Sequence, residues 1–225
     1  SATQPARGSR SQGRKKSHSN NVIFDTVPYP MYTLYTIGHS THSLPRLLEL
    51  LSMHAVSAVV DVRSSPYSRY NPQFNREPLR AALRDAEIEY VYLGKELGAR
   101  TPVRECYVDG KVRFDRLAQT PLFRFGLERL SKGLEGFNAC LLCAEKDPLL
   151  CHRTILVCRN VRSPELRILH ILEDGSLEDN ADAEQRLLGL HHIQSNDLFM
   201  SDEELVEKAY DLQGEKIAYG ENDTT

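Results

Sequence analysis

Eleven side chains able to move protons, attack a substrate or hold an anion fall in four short stretches of the chain. The first is Gly38-His39-Ser40-Thr41-His42-Ser43, and the second runs from Asp61 through Arg63 to Arg69 with Tyr67 and Tyr70 close by. The third is Gly94-Lys95-Glu96-Leu97-Gly98-Ala99-Arg100. The fourth begins at Cys143-Ala144-Glu145 and ends at Cys151-His152-Arg153. Arginine has a planar fork that matches phosphate or carboxylate, so Arg63, Arg69, Arg100 and Arg153 are candidate anion holders. His39 has the imidazole chemistry suited to proton transfer near neutrality. Asp61 can orient an arginine or a histidine or itself transfer a proton, while a simple buried ion pair with Arg63 is the plainer alternative. Glu145 follows an apolar stretch, and partial burial there raises a carboxyl toward the general acid or base range. Cys143 and Cys151 are the candidate nucleophiles, Cys151 because a helix start and the adjacent His152 favour a thiolate.

Placing these residues requires the elements around them. Tyr32–Ile37, Ser57–Val62, Glu89–Leu93, Ala139–Ala144 and Leu166–Leu172 read as strands, being short, apolar and rich in β-branched or aromatic residues. Between them, Leu44, Leu47, Leu48 and Leu51 recur at helical spacing behind a Ser43 cap and Pro45. Leu79, Leu83 and their neighbours, then Phe123, Leu127, Leu130 and Leu134, do the same. A further helix is expected over about Cys151–Asn160, and two more near Leu187 and Leu205. Strands alternating with helices predict an α/β domain with a mainly parallel five-stranded sheet, helices on both faces and extra C-terminal helices. In such sheets ligands bind outside the carboxyl ends of the strands, where all four stretches fall. His152 and Arg153 then occupy the first turn of a helix, where cations are disfavoured unless an anion is bound. Ser40, Arg63, Arg69, Arg100, Cys151, His152 and Arg153 are accordingly expected to bind substrate, with His39, Asp61, Cys143 and Glu145 as chemical groups.

A Cys-x2-Cys pair, Cys140 and Cys143, precedes Cys151-His152. On a strand an offset of three puts the two cysteines on opposite faces, so they cannot share a metal. That leaves only Cys143, Cys151 and His152 as possible zinc ligands; no metal is expected from them, and the sequence points to no particular cofactor.

Length and composition set the outer limits. At 225 residues and 40% hydrophobic content the chain supports one domain with appendages. Residues 1–24 carry Arg7, Arg10, Arg14, Lys15 and Lys16 without an acid, so the rest of a −3 chain stands at −8. That excludes a generally basic nucleic-acid-binding surface outside the tail. The expected organisation is a disordered basic tail over 1–30, the α/β domain over 31–175, and a helical extension over 176–225 packed on it. Five scattered cysteines fit reduced thiols, and no apolar run reaches the ~20 residues of a membrane span. A cytoplasmic address without membrane partners is expected.

Taken in order, Thr36-Ile37-Gly38-His39-Ser40, Asp61-Val62-Arg63 with Pro66 and Ser68-Arg69, Phe74-Asn75, Tyr90 with Leu93-Gly94, Leu97-Gly98 with Arg100, and Cys143-Ala144-Glu145 leading to Cys151-His152-Arg153 form a pattern. It resembles the bacterial and archaeal family catalogued as domain of unknown function 488, and the resemblance implies a compact α/β domain. A weaker similarity is to rhodanese-like sulfurtransferases, which also pair an Asp-Val-Arg strand end with a later cysteine loop. Their pattern sets the cysteine in a tight, often Gly-rich loop, whereas this loop lacks glycine and brings Glu145 and Asp147, which oppose a thiolate. The leading expectation is an enzyme acting on a phosphate-bearing small molecule or nucleic acid. Its rivals are cysteine-dependent group transfer and a non-catalytic nucleotide sensor or adaptor.

Overall fold

The computed structural model describes residues 1–3, 31–194 and 200–220. The basic tail therefore lies almost wholly outside the described residues.

Alternation in the sequence becomes β1 (Tyr32–Gly38), α1 (Leu44–Met53), β2 (Ala58–Asp61), α2 (Arg76–Asp85) and β3 (Glu89–Tyr92). A short α3 (Gly94–Leu97) and a small hairpin, β4 (Tyr107–Val108) and β5 (Lys111–Val112), lead to α4 (Phe114–Ala118) and α5 (Pro121–Leu134). Next come β6 (Ala139–Cys143), a π-helix over Arg153–Cys158 that runs into α6 (Arg159–Val161), and β7 (Leu166–Ile171). The chain closes with β8 (Leu177–Asp179), α7 (Asn180–Leu190) and α8 (Asp202–Ile217). Helix starts follow local chemistry. The Ser43 hydroxyl accepts from Arg46 N–H and Thr120 from Phe123 N–H, each with proline in the first turn, while Ser201 and Glu204 close a capping box.

The main sheet has the order β3-β2-β6-β1-β7-β8. Its first five strands are parallel, as expected. The five-strand expectation is short by one: β8 pairs antiparallel with β7 through a tight turn at Gly175, whose φ of +96° suits glycine. Consequently the sheet runs past residue 175, into what reads in sequence as helical extension. The expected helix from Cys151 is also modified, since a π-helix starts at Arg153 and all six of its residues are buried.

Two cores sandwich the sheet. Leu47, Leu50, Leu51, Leu79 and Leu83 of α1 and α2 pack on Val59, Cys140 and Leu142. On the other face Phe123, Leu130, Ile155, Leu187, Leu205 and Tyr210 pack on Val60, Leu141 and Cys143. Right-handed crossovers explain this division. Moving outward from β1 to β2 and β3 puts helices on one face, and returning to β6 and β7 puts them on the other. Strand β6 thus sits between β1 and β2, whose following loops leave toward the opposite face from its own. That crevice is a topological switch point, where α/β sheets bind ligands.

Helix α8 is tied to the chain after the π-helix by charge. Arg159 meets Glu207 at 2.8 Å and Asp211 at 2.7 Å, and Arg162 meets Glu184 at 2.6 Å and also contacts Glu207. Gln213 donates to the Leu149 carbonyl at 2.8 Å. Beyond α8, Val112 N–H bonds to the Tyr219 carbonyl, so the last described turn is strapped to β5. No helix among the described residues is long and apolar enough to cross a membrane.

Candidate functional site

Close backbone contacts bring the four stretches together at the switch point. His39 N–H donates to the Cys143 carbonyl and Ser40 N–H to the Ala144 carbonyl, both at 2.9 Å, which locks the loop after β1 to the loop after β6. A Cβ at Gly38 would stand 1.8 Å from the Glu145 carbonyl oxygen, so only glycine admits this contact. Gly94 is in the same position toward the loop after β2, where a Cβ would meet the Arg63 carbonyl oxygen at 2.0 Å. Arg100 N–H then bonds to Ser64 Oγ at 2.9 Å.

Asp61 and Arg63 form a buried, forked ion pair. Arg63 Nε and Nη2 reach the two Asp61 oxygens at 2.9 and 2.6 Å, and Nη2 also donates to the Phe74 carbonyl at 2.9 Å. Tyr90 supplies a further hydroxyl bond to Asp61 at 2.8 Å. The last arginine nitrogen faces His39 Nε2 at 3.3 Å, and His39 Nδ1 lies 3.0 Å from the Ser40 carbonyl. These contacts define a neutral imidazole that donates from Nδ1 and accepts at Nε2. His39 is buried and stacked on Phe74, and burial, with help from Arg63, lowers its pKa to about 4. Neither Asp61 nor His39 borders the open cleft. Their common role is to hold the loop after β2. Ser40 likewise stays outside the cleft, holding the turn with a positive φ of 44°. Replacing Tyr90 by Phe removes one of the Asp61 bonds and nothing else, so chemical denaturation should show a loss of about 1–2 kcal/mol. An unchanged midpoint would remove Tyr90 from the network.

The floor of the cleft is a second cluster. Glu145 Oε2 lies 3.1 Å from Cys143 Sγ and 2.9 Å from Cys151 Sγ, and His152 Nδ1 lies 3.5 Å from Cys143 Sγ. Cys140 points into the opposite core, as the strand period requires. Three acidic groups in contact cannot all ionise. Burial, reinforced by Cys151, pushes the Cys143 thiol well above its ordinary value. Cys151 moves the other way. Burial opposes ionisation there, but hydrogen bonding from Cys143 and the positive Arg153 and His152 outweigh it. Burial and the neighbouring Cys151 likewise raise Glu145. His152 loses by burial but gains more from Cys151 and Glu145, so it is held above its usual range.

Arg153 is placed differently from the sequence expectation of an anion holder. It is wholly buried, and its guanidinium donates to the carbonyls of Glu145 at 2.6 Å and Lys146 at 3.2 Å and to Thr36 Oγ1 at 3.3 Å. Arg63 is spent in the same way on Asp61 and Phe74. Arg153 therefore shapes the site from behind, whereas Arg63 lines the cleft with its guanidinium already bound to Asp61, the Phe74 carbonyl and His39. Thr36 continues inward to His170 Nδ1 at 2.8 Å, His170 to Asn180 at 3.2 Å, and Asn180 to Glu184 at 2.8 Å.

Above the floor opens a cleft of about 570 Å³. Cys143, Glu145 and His152 form its base, and Arg69, Arg100, Tyr67 and Tyr70 stand at its mouth with Ser64, Ser65 and Ser68. Arg69 and Arg100 are exposed, and Arg100 lies over the Tyr219 ring at 4.2 Å. Tyr70 is 86% exposed and does not cover the sheet edge. Sequence reasoning missed Thr36, His170 and Asn180, whose one visible signal is a histidine set among Ile168, Leu169 and Ile171 in β7. It also missed Tyr219, which reaches the cleft only through the strap to β5.

The family described as domain of unknown function DUF488 matches residues 43–159, and the chain belongs to it. No curated protein and no solved structure matches the chain.

Proposed function

We propose that this member of the DUF488 family is an enzyme acting on a phosphate-bearing substrate, a nucleotide or a nucleic-acid end, bound in the cleft above Cys143, Glu145 and His152. The observation that carries this reading is the pair Arg69 and Arg100 at the mouth of one cleft, both exposed, beside the serine hydroxyls of the loop after β2. Only one acid, Glu145, borders the same cleft, so the mouth is locally positive on a chain of net charge −3. Exposed Tyr67 and Tyr70 offer faces on which a base stacks. Glu145, the buried thiols and His152 are the groups within reach for proton transfer.

Calorimetric titration with a series of nucleoside monophosphates and short oligonucleotides tests the proposal. Arg69→Ala and Arg100→Ala are each expected to weaken binding by about tenfold or more, the worth of one charge-assisted hydrogen bond. Arg153→Ala is not informative for this purpose, because its side chain faces away from the cleft. Wild-type protein without affinity for any phosphate compound, or variants that bind unchanged, would overturn the assignment.

A second reading, cysteine-dependent group transfer, draws on Cys143 at the cleft base with His152 beside it. Rapid alkylation of Cys143 or Cys151 at neutral pH would favour it, whereas thiols as buried as these are expected to label slowly. A bound nucleotide recovered unchanged after long incubation would instead favour a sensor or adaptor.

A further inference from the structure

We infer that Cys143, Glu145, Cys151 and His152 form a binding site for a single zinc ion at the base of the cleft. The four donor atoms all lie within 4.8 Å of one another, and no other such cluster occurs among the described residues. Cys140, which the sequence pairs with Cys143, plays no part; the fourth donor is Glu145, two residues beyond Cys143.

Geometry favours a tetrahedral ion. Bonds of about 2.3 Å to sulfur and 2.0 Å to nitrogen require a sulfur-to-nitrogen edge of roughly 3.5 Å. Cys143 Sγ and His152 Nδ1 are 3.5 Å apart. The Glu145 oxygen, at 2.9 and 3.1 Å from the sulfurs, has only to withdraw by roughly half an ångström to reach the same edge length. Two thiolates and an imidazole are soft to borderline donors, which select zinc over magnesium or calcium.

The surroundings match what a metal site needs behind its ligands. His152 Nε2 sits 3.0 Å from the Val62 carbonyl, which fixes the proton on that nitrogen and leaves Nδ1 free to coordinate. Arg153 N–H points at Cys151 Sγ at 3.5 Å. Two thiolates and one carboxylate against a dication leave a single negative charge. The Arg153 guanidinium, bonded to the Glu145 carbonyl, supplies the buried counter-charge. Cys143, Cys151 and His152 are buried, whereas Glu145 is exposed along part of its length and borders the cleft. Glu145 is thus the ligand that can give way, opening one position toward the cleft while three protein ligands remain. In that state the metal would supply Lewis acidity to a ligand held by Arg69 and Arg100. This use rests on the phosphate reading, but the metal site does not.

Reduced, metal-free full-length protein titrated with Co²⁺ tests the inference in the absence of any phosphate ligand. The expected result is one equivalent bound, a sulfur-to-cobalt charge-transfer band and the intense visible bands of tetrahedral cobalt, all abolished by one equivalent of Zn²⁺. Cys143→Ser and Cys151→Ser should weaken binding by about 100-fold, and Cys140→Ser should bind as wild type. A weak octahedral cobalt spectrum without thiolate bands, or loss of binding in Cys140→Ser alone, would overturn the site. Because the wild-type spectrum is sufficient, a misfolded serine variant does not shield the inference. Failure here leaves nucleotide binding by Arg69 and Arg100 untouched, and failure of that binding leaves the cobalt spectrum untouched.

Discussion

Between pH 6.5 and pH 4 the folded protein is expected to lose about 6 kcal/mol of stability through two buried histidines. His39 and His170 are both held down to about 4 from an ordinary 6.5. Burial is the main cause at each, with the positive Arg63 facing His39 and Arg153 facing His170. The sign follows from proton counting. In this window the unfolded chain binds protons on both imidazoles and the folded chain does not, so stability is complete above pH 6.5 and declines as pH falls toward 4. Each depression is worth about 3 kcal/mol at its limit. A small domain has only about 5–15 kcal/mol in total, so acid unfolding within this range is the expected outcome.

Two other groups titrate with the opposite sign. Glu145, held above its ordinary value, stabilises the folded state as pH falls through the lower part of the window. His152 does so only above pH 6.5, because both states are protonated below it. The diagnostic measurement is therefore the slope of urea-unfolding free energy against pH in wild type, His39→Gln and His170→Gln. Each variant should flatten the slope by close to one proton. A wild-type profile that is level from pH 6.5 to 4.5, or variants with the wild-type slope, would show that these imidazoles are not held neutral.

Arg153→Met is expected to cost about 4 kcal/mol or more and to loosen the cleft floor. The side chain is fully buried, and removing it strands the carbonyls of Glu145 and Lys146 together with Thr36 Oγ1. Bonds from a charged donor are worth about 1.5–3 kcal/mol each, and methionine replaces the volume but none of the donors. Lysine should not rescue, because one ammonium cannot reach three acceptors arranged for a planar fork. Urea denaturation measures the loss directly, and a decrease below about 1 kcal/mol would refute a structural role. Where the variant folds, weaker binding of Co²⁺ would show that the loss extends to the loop carrying Glu145.

Much of the architecture was legible from residue order. The five parallel strands, the Ser43 cap and the helices on both faces follow from local periodicity and capping, which need no distant partner. The opposite orientation of Cys140 and Cys143 follows from the two-residue period of a strand. By contrast, β8 is three residues long and is a strand only because β7 lies beside it. The π-helix at Arg153 is equally invisible in the sequence, and all six of its residues are buried in the core.

The same division holds at the site. Sequence alone determined which side chains gather at one end of the sheet, because strand-to-helix loops in a parallel sheet all open there. Tertiary structure alone decided what each is free to do, because that depends on which partners burial leaves within reach. Four arginines look equivalent in the sequence, yet Arg63 and Arg153 spend their donors on Asp61 and on backbone carbonyls, while Arg69 and Arg100 stay at the cleft mouth. Spacing excluded a metal through Cys140, and only the turn of the chain after β6 brings Glu145 against both remaining thiols. Charge type and loop position are local properties, whereas desolvation and the pairing of donors with acceptors arise only when segments far apart in the chain are packed together.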